Sequence, residues 1–151
     1  MLCNPELNSM KITILMIMVS GSVLMAQNGP LANGVYAVEE GKANGKNLVV
    51  RQYEGKEVVL DTANFAPLAV QGKPQIERGP RGSGLMIQLA PEAGKRLEDL
   101  TRSHMNRPIA VVIGDKILSA PRVRSVITDG KARVTPCEDE ACETLLRQLS
   151  K

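Results

Sequence analysis

Few residues in this chain are of types that do chemistry. Cys137 and Cys142 stand near the C-terminal end in a C-x4-C arrangement. This is not the C-x-x-C spacing of redox-active pairs. Two helical positions this far apart carry side chains that diverge, beyond the ~7 Å Cα reach of a disulfide. If the helix instead starts near Asp139, Cys137 is released and can reach back to Cys142. His104 is the only histidine. With no Cys or carboxylate at ligand spacing, it reads as a packing or capping residue near a helix end. Glu138, Asp139 and Glu140 are consecutive carboxylates. They point in different directions, which suits a helix first turn better than a metal site. Arg78 and Arg81 bracket Gly79-Pro80, and with Arg107 they are the cations best placed to grip an acidic partner. No G-x-S-x-G, H-E-x-x-H or Cys–His nucleophile pair occurs, so no enzyme activity is expected. Neither a cofactor nor a metal is implied.

The elements that must position these residues follow from the apolar patterning. Ile109 to Ile113 are five apolar residues between Pro108 and Gly114, which reads as a strand buried on both faces. Gly114-Asp115 then offers a two-residue hairpin. Glycine at the first turn position suits type II′. Lys116 to Leu118 return beside the first strand, and Pro121 ends the ladder. Upstream, Leu85 to Leu89 is a strand feeding a helix with Pro91 in its first turn. Ala93, Leu97, Leu100 and His104 fall on one face of that helix. Gly94 weakens it by about 1 kcal/mol relative to Ala, which suggests close packing on the strand.

Downstream, Asp129-Gly130 is a turn and Lys131 to Thr135 a closing strand. Thr135-Pro136-Cys137-Glu138 matches a capping box, opening a helix to about Gln148 with an apolar stripe through Cys142, Leu145 and Leu149. Before residue 83, Val35–Val38, Asn47–Tyr53 and Lys56–Asp61 are strand candidates of a small meander. Thr62 to Gln71 reads as an extended edge segment. Residues 72–84 hold Pro74, Gly79, Pro80, Gly82 and Gly84, a loop or hairpin arm.

The run Arg107–Pro121 resembles the head subdomain of the first periplasmic domain of SecD, a protein-export accessory protein. The carriers are Pro108, Gly114, Asp115 and Ser119-Ala120-Pro121, with Gly84–Gly94 and Leu97–Thr101 upstream and Ile127 and Gly130 downstream. The resemblance covers roughly residues 83–149. The family usually has Asp-Gly at the turn and Thr at the position of Ala90. The resemblance implies an α+β fold, an antiparallel or mixed sheet with two helices packed on one face. It also implies transient binding of polypeptide, Sec-machinery or other bacterial envelope proteins, with an exposed sheet edge as the expected contact. An alternative is an envelope structural or assembly protein that reuses the fold.

Composition fits that reading. Aromatic residues are 2% of the chain, so the core must be aliphatic and stacking platforms for nucleic acid are absent. Net charge is +3 without a block of like charges, which excludes a duplex-binding surface. Residues 1–26 have the form of a signal peptide: Lys11, then a mostly apolar run from Ile12, then Ala26 at a cleavage position. Met10 is a possible true start. The apolar run is too short to span a bilayer comfortably. The expected product is periplasmic or secreted, without a stable membrane span after cleavage. That oxidising compartment favours the arrangement in which Cys137 and Cys142 form a disulfide. The expected organisation is 1–26 signal peptide, 27–82 a small β-rich region, and 83–151 the SecD head-like domain.

Overall fold

In a computed structural model, residues 29–41, 45–80, 82–137 and 139–150 are described, with the backbone alone for 135–137 and 139–141. The expected signal peptide therefore lies outside the described residues. The strands are β1 (Gly34–Glu39), β2 (Leu48–Tyr53), β3 (Lys56–Pro67), β4 (Gln75–Gly79), β5 (Gly82–Gln88), β6 (Ile109–Ile113), β7 (Lys116–Ser119) and β8 (Lys131–Cys137). The helices are α1 (Pro91–Ser103) and α2 (Asp139–Leu149).

The class is α+β, as the patterning predicts, but the strands divide between two sheets. One has the order β2-β3-β1-β6-β7 and the other β4-β5-β8, with every strand pair antiparallel. The larger sheet joins β1 and β3 to β6 and β7. It therefore runs across position 82, which lies inside the β4–β5 hairpin.

All five residues of β6 are buried. Each face meets a different core, which is why the run is continuously apolar. Ile109, Val111 and Ile113 join the main cluster, where Leu85 and Ile87 of β5, Leu97 of α1 and Leu145 of α2 also pack. Ala110 and Val112 point the other way, into a second cluster with Tyr36, Val38, Leu60 and Ile117. That second cluster lies on the opposite face of the larger sheet, and among the described residues no helix contributes to it. It is buried because the sheet curls: β2 and β7, at opposite ends of the strand order, come into contact. Tyr36 stacks on Phe65 inside the curl, ring centroids 4.9 Å apart, and its hydroxyl donates to Ala32 O at 2.8 Å. Burial pushes the Tyr36 phenol pKa up.

Four local expectations are corrected. The Gly114-Asp115 turn has φ of +59° and +65°. Positive φ at both positions is the signature of type I′, not type II′. Thr62 to Pro67 continues β3 rather than standing as a separate segment, and beyond Asp61 it pairs with β1 alone, so its other side is an edge as expected. A bulge there hides the strand pattern. The Asp61 carboxylate accepts from Ala63 N at 2.8 Å and Asn64 Nδ2 at 2.7 Å, shifting the register against β1. β8 runs on through Pro136 to Cys137, so α2 does not open at Pro136 and is described from Asp139. Gly94 does admit a close approach, but to a turn rather than a strand. A Cβ there would lie 3.2 Å from the Gly130 Cα.

Candidate interaction surface

The β6–β7 turn that carries the resemblance is a structural clamp. One oxygen of Asp115 accepts from Leu31 N at 2.9 Å and from Arg51 Nη2 and Nε at 2.8 and 3.2 Å. Arg51 Nη2 also donates to Gly29 O at 2.9 Å. Gly114 N donates to Asn33 Oδ1 at 2.9 Å. These bonds tie the turn to β2 and to the segment that precedes β1. They also supply the contacts that hold a non-glycine residue at positive φ. The Leu31 N–H, then the Arg51 guanidinium, keep the Asp115 carboxyl pKa below its ordinary value. Arg51 is not foreseeable as Asp115's partner. Its one sequence signal is a lone cation in Leu48–Tyr53, an otherwise strand-like run.

The other motif residues are placed along the same hairpin. Pro108 enters β6 and bridges to Arg122. Ser119 ends β7 and is buried, and Ala120 is half-buried. Pro121 O accepts from Ile109 N at 3.0 Å. The motif thus builds a rigid element rather than an open pocket.

Arg78 and Arg107 stand at different sheets. Arg78 is exposed on β4 in the smaller sheet. Arg107 is exposed just ahead of β6 in the larger one, with Nη2 at 3.4 Å from Glu39 Oε2. Arg81 lies outside the described residues. His104 is buried at the end of α1, and its Nδ1 lies 3.1 Å from Leu100 O and 2.9 Å from Ser103 Oγ. It caps and packs. Cys142 is fully buried in the main cluster. Among the described residues no group of three or more His, Cys, Asp or Glu is placed to hold a metal ion. No described helix is long and apolar enough to cross a membrane.

The four sheet edges differ. β2 and β7 meet each other through Arg51 and Asp115. β8 contacts α2, and its ladder with β5 has a register shift. β4 alone has a regular, unshifted ladder on one side and an open edge on the other among the described residues. Four of its five residues are exposed. A strand edge of this kind presents unpaired backbone N–H and C=O groups.

Comparison with known proteins gives one consistent answer. The family model described as SecDF, P1 head subdomain, matches residues 36–149. The protein translocase subunit SecD of Thermobaculum terrenum is 34% identical over 63 residues, which cover 42% of this chain and 12% of that protein. SecD of Acidaminococcus fermentans is 38% identical over 53 residues, covering 35% of this chain and 13% of that protein. The chain thus spans about one eighth of the length of the curated relatives it matches. Among solved structures, SecDF in a super-membrane-facing form aligns with 56% of this chain and 12% of its own, at 25% identity and a TM-score of 0.49. A structure of SecDF, titled as a membrane component that enhances protein export, aligns with 80% of this chain and 93% of its own, at 13% identity and a TM-score of 0.47.

Proposed function

The chain belongs to the SecDF P1 head subdomain family, and on that premise we propose a non-enzymatic module that binds extended polypeptide during protein export. The contact is strand addition at the open edge of β4. Backbone hydrogen bonds supply affinity in that mode, and side-chain pockets are secondary. The observation that carries this reading is the contrast between edges. β2, β7 and β8 are met by another element or interrupted, whereas β4 is regular and open among the described residues. Arg78 stands on this edge. Arg81, three positions on in the sequence, is proposed to contact the same partner.

The compartment in this reading is the periplasm or the exterior. The family's head subdomain and the leader-like residues 1–26 both support it. We also propose the Cys137–Cys142 disulfide. The backbone meets the condition the sequence sets: Cys137 ends β8 and α2 begins at Asp139.

Photocrosslinking tests the edge. The full chain is expressed in the envelope with a photoreactive residue at Glu77 of β4, or at Glu143 on α2 as a control. Exported polypeptides or Sec components captured from position 77 and not from 143 are the expected result. Equal capture from both positions, or capture of nothing, overturns strand addition at β4.

A further inference from the structure

We infer a second interaction surface, separate from the β4 edge, that takes an acidic polypeptide segment on Arg107, Arg122 and Arg124 around Met105. Two loop arms build it. Residues 105–108 leave α1 and residues 121–124 follow β7. Asn106 N donates to Val123 O at 2.9 Å, Val123 N to Arg107 O at 3.0 Å, and Ile109 N to Pro121 O at 3.0 Å. Arg122 Nη1 donates to Asn106 O at 2.8 Å. The arms are therefore fixed to each other before any partner arrives, which lowers the ordering cost of binding.

Val123 is buried, and Arg122 and Arg124 on either side of it are exposed. Arg107 has one carboxylate near it, Glu39 at 3.4 Å. Arg124 makes no hydrogen bond or ion pair among the described residues. Met105 lies in the same arm and is the only large hydrophobic residue exposed among those described, at 39%. Met105 bridges to Val123, which Arg122 and Arg124 flank, and an exposed Met among arginines is the composition of a protein–protein contact, where Met and Arg are enriched and Lys is depleted.

The choice of cation decides between two anionic partners. A membrane surface attracts Lys and Arg alike, through diffuse charge. All three cations here are Arg, whose planar fork matches a carboxylate with two parallel hydrogen bonds. An acidic segment with an apolar side chain for Met105 is the better fit.

The test uses the full chain, a short fluorescein-labelled peptide rich in Glu and Leu, and vesicles containing phosphatidylglycerol. Peptide binding by the unaltered chain is expected. Arg124→Gln should weaken it about 3- to 10-fold, and because Arg124 holds no described contact, the fold is kept. Arg122→Lys combined with Arg124→Lys should weaken it too, although charge is conserved. Lys131→Gln combined with Arg133→Gln, in β8, should leave it unchanged. Three results overturn the inference. They are no peptide binding, equal weakening by the β8 pair, and full binding by the double-Lys variant accompanied by vesicle binding.

Discussion

Asp115 shows how one carboxylate oxygen fixes a turn. It takes three N–H donors, two of them from a single guanidinium. Its pKa is lowered, chiefly by the Leu31 N–H and then by Arg51. The folded form therefore binds the proton less readily than the unfolded chain. Stability from this group is present above the ordinary value of 3.8 and is lost as pH falls through the depressed one. Asp115→Asn should lower the urea midpoint at neutral pH. The gap to the unaltered chain should stay level down to about pH 5 and close in stronger acid. A gap independent of pH would remove the charge from the account. Ala90 is the opposite case, a contact not made. It occupies the N-cap of α1 with φ −58° and ψ 152°, and no side chain caps the helix. Ala90→Ser places an acceptor there, and thermal unfolding should show a gain of about 1 kcal/mol. The uncapped start is legible in the sequence, since Ala stands where the family has Thr. The Asp115 partners are not. Leu31 and Arg51 are 84 and 64 positions away, and no local pattern marks a side chain for so distant a contact.

The elements were most legible where burial and periodicity agree. α1 buries Ala93, Leu97 and Leu100 with His104 just beyond, the face that i, i+4, i+7 spacing names. β6 is buried throughout, as a five-residue apolar run between Pro and Gly requires. Legibility fails where side chains reset the backbone locally. The Asp61 bonds that bulge β3 break its alternation, so its second half, paired with β1 alone, reads as a separate edge segment rather than as the same strand. The β8–α2 junction fails for a related reason. The Thr-Pro-Cys-Glu pattern fits a helix start, and pairing with β5 overrides it, keeping Cys137 opposite Ser83 in the ladder. That override leaves Cys137 outside α2, the backbone arrangement on which the proposed disulfide rests. Intact mass before and after alkylation should show no free thiol on Cys137 or Cys142. Replacing both by Ser should cost about 2 kcal/mol, as expected for so short a closed loop. Two alkylated cysteines in the mature chain would sink the pairing.

At the scale of the molecule, the larger sheet has a core on each face and only one set of helices. The second core stays dry because β2 and β7 close on each other and Leu31 packs against the cluster between them. The sequence gives the strands but not the curl, since curvature depends on contacts between elements and not on any one of them. Deleting the segment through Asn33 removes Leu31, the Asn33 bond to Gly114 and the Gly29 bond to Arg51 together. That variant should unfold at lower denaturant and bind a hydrophobic dye, as exposure of Tyr36, Leu60 and Val112 demands. The loss of the Leu31 contact alone is worth about 1–2 kcal/mol. An unchanged midpoint would mean that the curl holds without its strap. The same clamp sets an order of events. Synthesis proceeds from the N-terminus, so residues 29–33 emerge before all of the strands, yet their partners at Gly114 and Asp115 emerge some eighty residues later. β1 likewise waits for β6 to pair on its second side. This early segment is secured only after β6 and its turn have been made, and the nascent chain keeps an unfinished sheet exposed until most of its length has appeared.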